Sequence, residues 1–342
     1  MWGVCWTRKK GGNLYVPLIS CTTSDEDRVI RFTPKQIRSM TSNFSTKKLI
    51  GVSEVASVYM CTLPDGRTAA VKKFVPGTML QGEQEFMAQV NTMSSVHHPN
   101  LITLLGYCYT EKYQILVYEF AENGSLSHHL YGDSVLPWEN RCKIALGVAR
   151  ALAYLHKDRK IVHRGIKPTN ILLDNALEPK VADFGLTILL KDSPSAVIWS
   201  LEIAGYIAPD YKMTGKMIDM SDVYSFGILL LELLTGRRPF DRTIEPYECL
   251  LTWAKRQIFL ALDNNDFSAL VDSKLCDAYN KDDVLRMIVV IIFCIEFYPE
   301  YRPSMEKVAK LLERPRAPTP TEIIRYCRKF CAPSDWVDVS RT

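Results

Sequence analysis

The sequence predicts an α+β fold with two unequal lobes, a small lobe of strands followed by a larger lobe of helices. β-branched and aromatic residues recur over residues 49–75 and 102–120, and Leu63-Pro64-Asp65-Gly66 supplies a hairpin turn within the first segment. Beyond Asn123 the apolar residues fall instead at helical spacing. Strands that precede a run of helices are typical of α+β proteins.

One helix interrupts the strands of the small lobe. It is predicted over residues 82–96, where Phe86, Val90 and Met93 fall on one face. In the larger lobe the clearest helix is predicted over residues 139–156. Its apolar stripe consists of Ile144, Val148, Leu152 and Leu155.

Changes in composition divide the chain into five segments. Residues 1–30 are polar and irregular, so a flexible segment is expected there. Residues 31–48 are expected to pack on the first lobe as an N-terminal extension, residues 49–120 to form that lobe, and residues 121–313 to form the second. Residues 314–342 begin rich in proline and threonine, which predicts a loosely ordered tail.

The bulk composition argues against several classes of protein. The net charge is only +4 and the basic residues are scattered among acidic ones, so nucleic acid is not an expected partner. Ten cysteines without metal-type spacing indicate a reducing compartment, which favours the cytoplasm. The longest apolar run, Met287 to Ile295, is far below the roughly 18 residues that predict a membrane span.

The N-terminal residues leave a peripheral membrane contact open. Cys5 lies beside two tryptophans and before Arg8-Lys9-Lys10, and an acyl chain with a basic patch provides two membrane signals. Glycine at position 3 rather than 2 argues against myristoylation. The alternatives are a protein held at the plasma-membrane periphery and a disordered, unlipidated tail.

Two short motifs in a fixed order carry the strongest functional signal. Residues 163–170 read His-Arg-Gly-Ile-Lys-Pro-Thr-Asn and residues 183–185 read Asp-Phe-Gly, which matches the catalytic loop and magnesium loop of protein kinases. Ala208-Pro209-Asp210, the run from Ser221 to Gly227, and Arg302-Pro303-Ser304-Met305 follow in kinase order. From about Leu49 to Leu312 the chain therefore resembles the protein kinases.

Several segments resemble one group of kinases in particular. Leu116-Val117-Tyr118-Glu119-Phe120, Asn123-Gly124-Ser125-Leu126 and Leu233-Leu234-Thr235-Gly236 are similar to plant receptor-like and receptor-like cytoplasmic kinases, which are related to the Pelle and interleukin-receptor-associated kinases. The resemblance implies a bilobal protein-kinase fold, with a small β-rich N-lobe that contains one regulatory helix and a larger, mainly helical C-lobe.

The same resemblance implies a site for ATP with Mg²⁺ between the lobes. Tyr118 matches the gatekeeper, and the hinge from Glu119 to Ala121 would offer backbone hydrogen bonds. Lys72 and Lys167 match the lysines that hold the phosphates. The other matching residues are Gly51 in the phosphate-covering loop, Val58, Ala70 and Leu172 around the adenine, and Asn170 and Asp183 as metal ligands. The alternative is an empty cleft in which these side chains have structural roles only.

The catalytic loop departs from the kinase pattern at its centre. Gly165 stands where the family has the aspartate that accepts the proton of the substrate hydroxyl, and glycine has no side chain for this task. Positioned acid–base groups typically contribute about 10²–10⁴ in rate. Phosphoryl transfer is therefore predicted to be lost or very slow, unless another base nearby takes over.

The regulatory helix shows a second departure. The family's glutamate partner of Lys72 aligns with Gln89, which the resemblance therefore places among the cofactor-binding residues. Gln89 can offer one neutral hydrogen bond but no ion pair. A shift of one helical turn would bring Glu85 to the same face instead. We expect Lys72 to be less firmly placed than in other kinases.

The phosphate-covering loop and the activation segment also differ. Ser53 and Ala56 replace two loop glycines and Glu54 adds a negative charge, so ATP affinity is expected to fall. Glu202-Ile203 replaces the Gly-Thr of relatives. Arg164 could bind a phosphate on Ser193, Ser195 or Ser200, and Asp210 could pair with Arg302.

These observations support three hypotheses. The first is a pseudokinase that serves as scaffold, allosteric partner or decoy for active receptor-like kinases or immune-signalling proteins in plants. The second is a weakly active Ser/Thr protein kinase that works through positioning and metal electrostatics alone. The third is an ATP-sensing switch, in which nucleotide binding without turnover changes the affinity for a partner.

Overall fold

The computed structural model describes residues 29–77, 82–184, 204–240 and 249–330. These residues form a β-rich N-lobe and a larger helical C-lobe, which confirms the predicted bilobal α+β fold. The predicted flexible segment at the N-terminus lies almost entirely outside them.

The N-lobe is built on one six-stranded sheet. Its order is β1-β5-β6-β4-β3-β2, and every pairing is antiparallel except that of β1 with β5. The strands are β1 (Ile30–Arg31), β2 (Leu49–Val52), β3 (Ala56–Thr62), β4 (Thr68–Phe74), β5 (Leu104–Tyr109) and β6 (Gln114–Glu119). The regulatory helix α2 (Glu83–Ser94) packs on β5, as its apolar face predicts.

The N-terminal extension covers the outer face of this sheet. Helix α1 (Pro34–Met40) begins at Thr33, whose side chain accepts from the Gln36 amide in a capping box. Phe32 and Ile37 are buried in a separate apolar core. A Cβ at Gly106 would lie 2.4 Å from the Phe32 ring, so this strand position requires glycine for the close approach. The sheet residues of that core are Cys61, Leu63, Ala69, Val71, Cys108, Ile115 and Val117.

The C-lobe is organised around a central buried helix. This helix, α6 (Asp219–Thr235), packs against α8 (Lys281–Cys294), and a Cβ at Gly227 would lie 2.8 Å from the Cys294 side chain. The other helices are α3 (Leu126–Tyr131), α4 (Trp138–Tyr154), α5 (Pro209–Thr214), α7 (Leu250–Asn264), α9 (Met305–Leu312) and α10 (Pro320–Phe330). A hairpin of β7 (Ile171–Leu173) and β8 (Pro179–Val181) lies beneath the cleft between the lobes.

The prediction of a loosely ordered tail is wrong for its central part. Residues 320–330 form α10, which packs on α7. Ile323 is buried, and the ring of Tyr326 lies 4.6 Å from that of Phe293. Apolar residues one helical turn apart thus outweigh the proline-rich entry to the segment. In the part of the chain that the structure describes, no helix is both long and apolar enough to cross a membrane.

Candidate active site

A buried carboxylate fixes the backbone of the loop at residues 163–170. Asp222 on α6 accepts from the amides of His163 and Arg164 at 2.6 and 2.7 Å, and the Nε2 atom of His156 lies 2.8 Å from it. These contacts stabilise Arg164 at a φ of 64°, a conformation that side-chain-bearing residues rarely adopt. The backbone of the loop is therefore fixed by a buried charge and two short hydrogen bonds.

Gly165 lies at the mouth of this loop and is held on both sides. Its amide donates to Nδ1 of His163 at 3.1 Å, and its carbonyl accepts from Nδ2 of Asn170 at 2.7 Å. A Cβ added here would meet nothing closer than Asn170 Nδ2 at 3.4 Å, an ordinary contact. Neither space nor backbone conformation requires glycine, so the fold would accept the missing aspartate.

His163 is neutral and structural. It is fully buried, and burial lowers its pKa. Because Nδ1 accepts from the Gly165 amide, Nε2 carries the proton and donates to the Ala182 carbonyl at 3.0 Å. The buried Phe184 ring lies 6.5 Å from the imidazole, and the preceding Asp183 lines the cleft.

In the structure Lys72 is paired with Asp183, and the neutral hydrogen bond that Gln89 could have offered it is not among the described contacts. Lys72 Nζ lies 2.6 Å from Oδ1 of Asp183, whereas the Gln89 amide is buried in α2 and points its Nε2 at the sulfur of Met93, 3.9 Å away. A neutral amide competes poorly with a carboxylate for an ammonium group. Gln89 also does not line the cleft, so its assignment as a cofactor-binding residue is wrong.

The gatekeeper closes the back of the cleft. The Tyr118 hydroxyl donates to the Met93 sulfur at 3.5 Å, so one thioether receives both Tyr118 and Gln89. Burial, together with the nearby charge of Asp183, raises the pKa of Tyr118 well above its usual value. The hydroxyl therefore stays neutral and cannot serve as a base.

The cleft between the lobes is a cavity of about 950 Å³, at the upper end of the range for ligand pockets. Apart from Gln89, the structure brings every predicted site residue to its lining; their individual roles remain predictions. These residues are Gly51, Val58, Ala70, Lys72, Tyr118, Glu119, Ala121, Gly165, Lys167, Asn170, Leu172 and Asp183. Apolar walls, two lysines and the carboxylate of Asp183 among the polar lining residues fit a nucleoside triphosphate.

The covering loop between β2 and β3 is held by hydrogen bonds between its own residues. The Ser53 hydroxyl accepts from the Ala56 amide at 3.1 Å, and the Ser53 amide donates to the Ala56 carbonyl at 2.8 Å. A glycine at position 53 would leave the Ala56 amide unbound by this hydroxyl. The serine therefore adds a side-chain contact to the hydrogen bonds that hold this loop.

Of the remaining predictions, the structure shows one contact, and the others concern residues that it does not describe. Asp210 pairs with Arg302 at 2.7 Å in the interior, so the shorter carboxylate still reaches its predicted partner. Glu202-Ile203 and the three activation-segment serines lie outside the described residues.

Sequence reasoning missed Glu232. This carboxyl on α6 is fully buried and accepts from the hydroxyls of Tyr206, at 2.6 Å, and Tyr131. It thereby fixes the segment around Gly205-Tyr206 beside the cleft. The available signal was a single acidic residue inside the apolar run from Ile228 to Leu234.

Comparisons with known proteins agree with this geometry. The family described as protein tyrosine and serine/threonine kinase matches residues 44–312. The chain belongs to the protein kinase family. It is similar to plant proline-rich receptor-like protein kinases of Arabidopsis thaliana: it is 41% identical to PERK12 over 289 residues and 40% identical to PERK3 over 288. Each alignment covers 82% of this chain, but only 40% and 56% of the respective relative.

Typical kinases use ATP with Mg²⁺, and the residues present are compatible with that group. Asn170 and Asp183 would hold the metal, and Lys72 and Lys167 the phosphates. The metal, when bound, would neutralise charge on the phosphates. The chain's own contribution would be to position the phosphates and to enclose them between the lobes.

Proposed function

We propose that this kinase domain is a pseudokinase, which adopts the kinase fold but does not transfer phosphate and acts through its partners. The observation that carries the proposal is Gly165, a position without a side chain in a loop whose other contacts are intact. Without a carboxylate there, no group accepts the proton of a substrate hydroxyl or aligns its oxygen for attack.

None of the described neighbours of Gly165 can replace the aspartate. His163 uses both ring nitrogens within the fold, and Asp222 is buried beneath the loop. Lys167 is a cation, and Asp183 is already paired with Lys72. Only a group from outside this set could act as the base.

A weakly active Ser/Thr kinase is the second candidate. It is favoured by the lysines and metal ligands that line one cavity, because phosphoryl transfer depends largely on positioning and electrostatics. An ATP-sensing switch is the third, and the Lys72–Asp183 pair favours it because it joins the N-lobe sheet to the segment after β8. A nucleotide that displaced this pair would alter the contact between the lobes.

The proposed partners are suggested only by the resemblance to plant receptor-like kinases. Active receptor-like kinases or immune-signalling proteins of plants are our proposal, with the cytoplasm or the plasma-membrane periphery as the location. A scaffold, an allosteric partner and a decoy are all compatible with an inactive kinase fold. Proteins that co-purify with this protein from plant tissue, compared with those that co-purify with an active relative of similar surface, would identify the class of partner.

The deciding experiment measures phosphoryl transfer by the purified protein with ATP and either Mg²⁺ or Mn²⁺. The native protein is expected to transfer no more phosphate than the Lys72→Ala variant does. Gly165→Asp and the uncharged, equally large Gly165→Asn form a matched pair, because the loop accepts a Cβ without a clash. Transfer by Gly165→Asp alone would assign the loss to the missing carboxylate. Native activity that disappears in Lys72→Ala would refute the proposal.

A further inference from the structure

We propose that the outer face of the N-lobe docks on a membrane leaflet that contains anionic phospholipids. This face consists of β1, α1 and the turns beside them, which together cover the six-stranded sheet. Docking gives the proposed location at the membrane periphery a contact surface. It is independent of Gly165 and of whether phosphate is transferred.

The chain that forms this outer face is strongly basic. Over the whole sequence basic residues are scattered among acidic ones, but residues 29–53 contain five cations and no carboxylate. This stretch alone exceeds the net charge of +4 of the entire chain. A lysine on β4 and another in the turn before β6 join it. The seven cations are Arg31, Lys35, Arg38, Lys47, Lys48, Lys73 and Lys112.

Helix α1 presents two of these cations to solvent. Its apolar side, with Ile37 and Met40, is buried in the outer core, whereas Lys35 and Arg38 are exposed. These two side chains are neighbours on the helix surface because they are three residues apart. Lys48 donates to the Met40 carbonyl at 2.8 Å, which places a third cation at the C-terminal end of α1.

Aromatic rings connect the lysines of the sheet with this helix. Lys73 is two residues from Val71 on β4 and therefore points to the same, outer face of the sheet. Its Nζ atom lies 4.4 Å from the centre of the Phe44 ring, in the turn after α1, and 5.7 Å from that of Tyr113. Lys112 Nζ also lies 5.7 Å from the Tyr113 ring. The cations thus form one continuous basic surface.

The carboxylates of the N-lobe do not neutralise this surface. Two of them are on α2, whose apolar side packs into the core on the opposite face of the sheet. Asp65 and Glu119 form ion pairs at 2.7 and 3.7 Å with basic residues outside the seven. Glu54 belongs to the covering loop of the cleft. Among the described residues, Glu111 is then the one carboxylate that remains beside seven cations.

The shape of the face favours a lipid leaflet over an acidic peptide. A helix laid on a sheet is a raised surface, which suits a flat leaflet, whereas an extended peptide binds best in a groove or along a strand edge. Ile30 is 46% exposed beside Arg31, so an apolar side chain is available to enter the interfacial region between basic ones. The chain that carries Cys5 and the basic run at residues 8–10 joins the lobe at Val29, on this same side.

Flotation of the purified full chain with lipid vesicles tests the docking. Vesicles of phosphatidylcholine alone are compared with vesicles that also contain phosphatidylserine, and the protein is made in bacteria so that Cys5 carries no acyl chain. The native protein should partition at least about tenfold more strongly onto the anionic vesicles. This partition should fall as added salt screens the charges.

A matched pair of double variants locates the contact. Lys35→Gln with Arg38→Gln removes two exposed charges from α1 without lowering its helix propensity, and should weaken the partition onto anionic vesicles by about tenfold or more. Lys212→Gln with Lys216→Gln removes two exposed charges from the C-lobe and should bind like the native protein. If the first variant does not fold, Lys47→Gln with Lys112→Gln makes the same test at two other exposed positions of the face.

Four results would overturn the proposal. The native protein does not prefer anionic vesicles, the α1 and C-lobe variants bind equally, binding is lost only when the basic run at residues 8–10 is replaced by glutamines, or soluble polyglutamate removes the protein from the vesicles at equal anionic charge. The last result would assign the face to an acidic protein. None of them bears on phosphoryl transfer, which the Gly165 variants test separately.

Discussion

Glu232 should make the stability of this protein depend on pH in a way that one substitution removes. Burial raises the pKa of its carboxyl from 4.5 to about 8, although two tyrosine hydroxyls partly offset this effect. Its Oε2 atom has no hydrogen-bond partner among the described residues, so an ionised carboxylate would leave one charged oxygen uncompensated. The group therefore folds in its protonated form.

The sign and size of the effect follow from linkage. Below pH 4.5 the carboxyl is protonated in both the folded and the unfolded chain. As pH rises from there to about 8, the unfolded chain releases its proton while the folded chain retains it, so the free energy of unfolding falls. At about 1.4 kcal/mol per pKa unit, a shift from 4.5 to about 8 gives a total loss of about 5 kcal/mol. Glu232→Gln keeps an acceptor oxygen for Tyr206 and has no proton to release.

Urea unfolding of the native protein and of Glu232→Gln, at about pH 5.5 and about pH 8.5, measures the difference. The two proteins should have similar stability at the lower pH, and the variant should be more stable by a few kcal/mol at the higher pH. Glu300→Gln removes an exposed carboxyl and serves as control. Parallel pH profiles for the native protein and Glu232→Gln would refute the reasoning.

Three further substitutions test other contacts. Ser53→Gly should release the loop amide that the hydroxyl now binds and tighten nucleotide binding several-fold, measured by fluorescence titration; unchanged affinity would show that this amide does not contact phosphate. Arg302→Met should lower the free energy of unfolding by about 3–5 kcal/mol because it leaves Asp210 buried without its partner, and a loss below about 1 kcal/mol in urea would contradict this. Gly106→Ala should cost about 1–3 kcal/mol through its contact with Phe32, and Phe32→Ala in the same chain should recover part of that loss.

The sequence was sufficient for the fold and for most of the candidate site because both depend on short-range signals. Residues 163–170 and 183–185 follow one another in kinase order, and the structure places most of the first segment and Asp183 along one cleft. Alternating and helical apolar patterns likewise placed the strands before the helices.

The errors concern choices between competing partners. The sequence suggested Gln89 as a neutral partner for Lys72, because alignment gives no energy for competing partners. In the structure the charged Asp183 is bound instead. Glu232 was missed because its role depends on a hydrogen bond from Tyr206, which lies 26 residues away in sequence. The sequence around Glu232 shows only an acidic residue in an apolar helix. The tail was predicted to be loosely ordered from its proline-rich start, whereas its helix is stabilised by packing on α7.

The layer formed by Phe32 and α1 sets where this folding unit begins. It covers an apolar sheet face that includes Cys61, Val71 and Val117, none of which is more than 1% exposed. A fragment that began at the boundary suggested by the kinase motifs, near residue 49, would lack this layer. Its apolar sheet face would then be exposed to solvent and prone to self-association. Any fragment meant to behave as an independent domain must therefore start no later than the first strand, at Ile30.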